Sequence, residues 1–142
     1  MTTAGKTYKY WTKEGSFETD DFRLIPYDNL HRKNGPAIEY PDGSRIWYQN
    51  GETHRVCGPA IVYSDGRCEW VQHARLHRLD GPAIEVPNFC NEWWTNGKRH
   101  NEFGPAIDYV DGLKLYYLYG KHLSEEEFNT IPDPIQRKLI WG

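Results

Sequence analysis

Aliphatic residues, cysteines and long apolar runs are all scarce in this chain. Only 38% of its 142 residues are hydrophobic. No stretch approaches the roughly 18–20 apolar residues of a membrane-spanning helix, so nothing reads as a transmembrane segment. The cysteines are Cys57, Cys68 and Cys90, an odd number with no Cys-x-x-Cys pair. That argues against a disulfide framework and a thiolate zinc site, and fits a reduced, cytoplasmic location. Met1 to Trp11 carries no apolar run of the secretory kind. A basic excess is also missing: 17 Lys and Arg stand against 20 Asp and Glu, for a net charge of -3. Non-specific nucleic-acid binding, which usually needs such an excess, is therefore disfavoured. Gly-x-Ser-x-Gly, the full phosphate-cradling Gly-x-x-x-x-Gly-Lys-Ser/Thr loop and His-Glu-x-x-His are all absent. The chain reads as non-enzymatic, with no catalytic residue, metal site or cofactor assigned.

Aromatic residues make up 15%, with six Trp and ten Tyr, so rings must supply much of the buried area. One phrase, His-Arg-x-x-Gly-Pro-Ala-Ile, is written four times with small variations. Its glycines are Gly35, Gly58, Gly81 and Gly104, always 23 residues apart. A fixed short period marks one supersecondary unit stacked on copies of itself. The copies begin at His31, His54, His77 and His100. Trp47, Trp70, Trp93 and Tyr116 recur in phase, as do the glycines of Pro41-Asp42-Gly43 and Asn50-Gly51 in most copies.

These are hairpin signals. Pro36 to Tyr40 and Ser44 to Gln49 alternate like short strands, and Asp-Gly and Asn-Gly are turn formers. Each copy is expected to give two strands. With Asp-Gly as a two-residue loop, Ile38 lies opposite Trp47, and likewise Ile61–Trp70, Ile84–Trp93 and Ile107–Tyr116. The opposite face then carries Glu39, Val62, Glu85 and Asp108 with Tyr48, Val71, Trp94 and Tyr117. Upstream, Trp11 resembles a further member of the Trp column, and Arg23 to Leu30 a degraded half-repeat. Downstream, Ser124 to Glu127 is a capping box. Asp133-Pro134 opens a second helix with Ile135, Leu139 and Ile140 on its apolar side. The expected fold is an all-β, elongated antiparallel meander sheet of tandem β-hairpin repeats with a short C-terminal helical cap. It forms one structural domain: a cap over 1–30, repeats over 31–122 and a helical cap over 123–142.

The skeleton Trp47…Gly51…His54…Gly58…Asp65-Gly66 resembles the MORN repeat, a β-hairpin unit of the same length. The His-Arg-x-x-Gly-Pro-Ala form is similar to one found in small proteins of tailed phages and large DNA viruses. Those often close with a tail like Gly120 to Phe128. The resemblance implies a binding, dimerising or membrane-associated scaffold. It further implies a phage accessory protein that acts on a host defence, in the host cytoplasm.

Candidate sites follow from what the period permits. Equivalent histidines in neighbouring copies are separated by two strands, roughly 9–10 Å. That is too far to share a metal through these side chains alone, since ligand atoms lie about 2 Å from it. Each histidine is expected to hydrogen-bond a turn backbone or an aspartate. Arg32, Arg55 and Arg78 form a ladder ended by Asn101. They either pair with Asp42, Asp65 and Asp111 of nearby turns or recognise an anion. Copies two and three depart from the pattern at His73 to Arg75 and at Asn88-Phe89, which makes these loops candidate contacts. Tyr48, Trp94 and Tyr117 are candidates for an exposed aromatic stripe. The leading function is a non-catalytic protein–protein interaction module that binds and inhibits or modulates a host protein, with a homodimer also allowed. The alternative is a binder or sequestering sponge of a small anionic ligand, such as a signalling nucleotide or lipid headgroup. It would use Arg32, Arg55 and Arg78 with stacked aromatics.

Overall fold

Two different turns shape each copy, and the first sets the register. The structure is a computed structural model that describes residues 6–131 and 133–141, with side chains as far as residue 137. In copy one the Gly43 N–H donates to Tyr40 O at 3.0 Å, and the Tyr40 N–H donates to Ser44 O at 2.8 Å. The loop is therefore three residues long, with Gly43 in the left-handed region at φ 93°. Asp42 Oδ1 accepts the Ser44 N–H at 2.8 Å and locks the turn. Asp65 and Asp111 do the same for Arg67 and Leu113.

That extra loop residue corrects the expected pairing. Ile38 faces Ile46, not Trp47. Ile61 faces Glu69, Ile84 faces Glu92 and Ile107 faces Leu115. A one-residue slip exchanges the faces of a strand, so the Ile–Trp columns do not form. In the expected register Glu39, Glu85 and Asp108 share one face with Tyr48, Trp94 and Tyr117. The three acidic residues face Arg45, Asn91 and Lys114.

The second turn is the one the sequence indicated. Asn50 and Gly51 have φ of 51° and 78°, the type I′ pattern, and Tyr48–Thr53 and Gln49–Glu52 pair across it. Between the turns the strand breaks at Trp47. Its N–H donates to Ala60 O at 2.8 Å, and its carbonyl accepts the His54 N–H at 3.0 Å. Copy one thus forms four short strands rather than two: Ile38–Glu39, Arg45–Ile46, Tyr48–Gln49 and Glu52–Thr53. Copy four keeps a longer strand, Lys114–Leu118.

The chain divides into two compact units, 1–75 and 76–142. In the first, an antiparallel meander runs in the order Gly15–Thr19, Tyr8–Thr12, Ile38–Glu39, Arg45–Ile46, Ile61–Val62, Cys68–Glu69. In the second it runs Ile84–Val86, Cys90–Glu92, Ile107–Tyr109, Lys114–Leu118, Lys121–Leu123. The fold is all-β, with antiparallel hairpin repeats and two short C-terminal helices.

Ala37, Ala60, Ala83 and Ala106 are all fully buried. The alanine of the repeated phrase is thus a core position in every copy. Around it the first unit packs Ile25, Leu30 and Ile38 against Tyr8, Tyr10, Tyr40 and Tyr48. Burial raises the phenol pKa of Tyr40 and Tyr48. The second unit buries Tyr116, Leu118, Leu123 and Phe128.

Helix α1 (Glu125–Asn129) opens with the expected capping box. Ser124 Oγ accepts the Glu127 N–H at 3.0 Å, and Glu127 Oε1 accepts the Ser124 N–H at 3.2 Å. Its Phe128 ring lies 4.7 Å from Tyr116. Helix α2 (Pro134–Trp141) departs from expectation, because Ile135 is exposed. Arg137 is buried instead, with Nη1 on Glu102 O at 2.7 Å and its guanidinium 3.7 Å from the Phe128 ring centre. The side chains of Leu139 and Ile140 lie outside the described residues. At the other end, Arg23 to Leu30 forms 3-10 turns over Phe22–Leu24 and Tyr27–Asn29, not a strand pair.

Candidate interaction surface

The repeated His-Arg pair forms a corner, and both side chains face inward to build it. Each histidine Nδ1 accepts a backbone N–H from the closing turn of its own copy. His31 takes it from Asn50 at 3.1 Å, His54 from His73 at 3.0 Å, His77 from Asn96 at 3.1 Å and His100 from Tyr119 at 2.9 Å. The next turn N–H, from Gly51, Ala74, Gly97 or Gly120, donates to the carbonyl just before the histidine. Both donors of each turn are thereby satisfied. An accepting Nδ1 requires the neutral ring with its proton on Nε2. Burial, with His73 alongside, lowers the His54 pKa and favours that state.

The arginines build the other half of the corner. Arg32 lies 3.9 Å above the Trp11 ring centre and Arg55 lies 4.0 Å above Trp47. Trp11 therefore does belong to the Trp column. Arg32, Arg55 and Arg78 each donate from Nη1 to the carbonyl of the following proline, Pro36, Pro59 or Pro82, at 3.0–3.1 Å. A Cβ on Gly35, Gly58 or Gly81 would stand 2.8–2.9 Å from the arginine Cζ, so glycine is what lets the guanidinium lie flat. Asp42, Asp65 and Asp111, offered as partners for these arginines, instead cap their own turns. Arg78 is further tied to Asp80 at 2.9 Å and Glu85 at 3.0 Å.

The proposed aromatic stripe separates into two environments. Tyr48 is half-buried against the first unit's core rather than exposed. Trp94 and Tyr117, in the second unit, are brought together by Arg99. Its Cζ lies 4.9 Å from the Trp94 ring and 5.6 Å from the Tyr117 ring. Glu92 Oε2 ties the group, accepting from Trp94 Nε1 at 3.0 Å and from Arg99 Nε at 3.3 Å. Tyr117 also meets His122 with ring centres 4.9 Å apart. Sequence reasoning missed Arg99 and Glu92: Arg99 replaces Thr53, Leu76 and His122 of the other copies, and Glu92 recurs only as Glu69.

The variant loops are exposed. His73 and Arg75 share the copy-two turn, where His73 and Ala74 both hold positive φ, 48° and 60°. The His73 ring lies 4.4 Å from His54, and its Nδ1 is 3.5 Å from Glu52. In copy three, Asn88 takes the left-handed position at φ 59°. The Phe89 N–H closes that turn onto Val86 O at 3.1 Å, and the Phe89 ring leans edge-on to Tyr109 at 5.6 Å.

No family model, curated protein or solved structure matches this chain. Among the described residues there is no group of three His, Cys, Asp or Glu able to hold a metal ion. Among them, too, no helix is long and apolar enough to cross a membrane.

Proposed function

We propose that this chain is a non-catalytic protein-binding module and that Trp94, Arg99 and Tyr117 anchor its partner. The observation that carries this is the ring–guanidinium–ring stack itself, half-buried and held by Glu92. Trp, Tyr and Arg are the residues that most often dominate binding energy at protein interfaces. Strand hydrogen bonds hold Trp94 before any partner arrives, which keeps the ordering cost of binding low. Within this reading the repeats are MORN-like, and the protein is a phage accessory that modulates a host defence protein in the host cytoplasm. The 23-residue period and the tail Gly120 to Phe128 support that part. The anionic-ligand alternative is weakened at Arg78, whose guanidinium already meets Pro82 O, Asp80 and Glu85, while Arg55 lies flat on Trp47 with Nη1 on Pro59 O.

The test is affinity capture of a host protein from lysate, repeated with W94A/Y117A and with exposed loop variant R75A. A loss of at least tenfold in the double variant alone, with unchanged circular dichroism, is the expected result. Equal capture by wild type and a folded W94A/Y117A would sink the assignment.

A further inference from the structure

The four corners are not equal. In copy four the ladder residue is Asn101, and it reproduces only half of what arginine does. Its Nδ2 donates to Pro105 O at 2.9 Å, matching the arginine–proline bond of the other copies. Its Oδ1 accepts the Phe103 N–H at 3.0 Å. An asparagine is too short to go on to cover a ring, and among the described residues no cation lies over Trp93. The space shows directly at Gly104. A Cβ there would find its nearest neighbour, Asn101 Nδ2, at 3.9 Å, against 2.8–2.9 Å to a guanidinium carbon at the other three glycines. A groove of about 630 Å³ opens at this place, with Trp93, Asn101 and Gly104 in its wall.

We propose that this groove is an open guanidinium slot that receives an arginine side chain presented by a partner protein. The repeat itself shows what fits. In copies one and two the same space, between a tryptophan face and a glycine, holds a guanidinium 3.9–4.0 Å from the ring centre. Asp80, paired with Arg78 at 2.9 Å, and Glu102, whose Oε2 lies 2.6 Å from His100 Nε2, line the groove and offset the charge of Arg78 in its wall, so a guanidinium entering it meets carboxylate oxygens and not bare positive charge. Leu79 and Phe103, at 81% and 77% exposure, give it an apolar rim that can shed water when a protein docks. Planar stacking on indole favours guanidinium over a lysine ammonium. The slot does not use the Trp94–Arg99–Tyr117 stack, so it stands or falls separately from that anchor.

The experiment is a titration of the full-length protein with N-acetyl-arginine amide, followed by the Trp93 indole N–H resonance. N-acetyl-citrulline amide, the uncharged isostere, is the parallel probe. The expected result is a saturable shift with the arginine probe and about tenfold weaker binding of citrulline, the scale of one cation–π contact. N101R should fill the slot from within and abolish the shift. An unmoved Trp93 indole, an equal response to citrulline, or an undiminished response in folded N101R overturns the proposal. The arginine–citrulline comparison needs no variant, so it decides the matter even if N101R misfolds.

Discussion

The corners of copies two and four differ in one side chain and separate two jobs that arginine normally does together. At Arg55 a single guanidinium both ties Pro59 O and covers Trp47. At Asn101 the tie survives and the cover is gone. Holding the chain at the corner therefore needs only one short donor. The longer side chain adds packing between copies, and its glycine partner matters only where it is present. The repeated glycine is a consequence of the arginine, not a turn requirement of its own.

This comparison breaks most clearly at the glycines. Gly58→Ala should drive a methyl into the Arg55 guanidinium, cost about 1–3 kcal/mol and free the Trp47 face. Gly104→Ala meets only ordinary contact and should stay within about 0.5 kcal/mol of wild type. Urea unfolding of the two variants decides it. Equal losses would mean that the glycines serve the backbone and not the arginine.

The closing turns offer a second contrast. Ala74 holds φ 60°, where its counterparts are glycines. Ala74→Gly should stabilise the protein by about 1 kcal/mol, and Gly97→Ala should destabilise it by a similar amount. Opposite signs in thermal melts are the expected outcome. Two losses would show that the Ala74 methyl is packed rather than strained.

Acidity probes the histidine side of the corner. His54 has a lowered pKa in the native state, so the unfolded chain takes up its proton first as pH falls. Its contribution is complete above the unfolded value of about 6.5 and is lost as pH drops through the lower native value. His54→Asn keeps an acceptor for the His73 N–H but cannot titrate. The loss of stability between pH 7.5 and 5 should be smaller in this variant than in wild type. An identical pH slope would show that other groups govern the acid limb.

The smallest effect belongs to the exposed loops. Arg75→Ala should leave stability within about 0.5 kcal/mol, as exposed substitutions away from structural features usually do. A larger loss would place Arg75 among the structural residues.

Much of the fold was legible because turns are written locally. Asn50-Gly51, the Ser124–Glu127 capping box and the 23-residue period each specify geometry within a few residues. Register was not, because Pro41-Asp42-Gly43 reads equally well as a two- or three-residue loop. The Gly43–Tyr40 and Tyr40–Ser44 hydrogen bonds that separate the two are invisible in sequence. That single residue turned the expected face of Trp47 around. The end of the arginine ladder at Asn101 was visible, but its meaning depended on Trp93, eight positions earlier and across a corner. The Trp94–Tyr117 grouping was legible, but not what joins it: Arg99 belongs to no repeated motif.

The histidine bonds also govern how such a chain can vary. Both donors of each closing turn are fixed to a histidine and its neighbour about 19 positions upstream. One inserted residue between them would unhook two hydrogen bonds and displace a pair of left-handed residues together. Every copy therefore acts as its own ruler. Its spelling can drift, as His73-Ala74 and Asn88-Phe89 have, while its length stays locked.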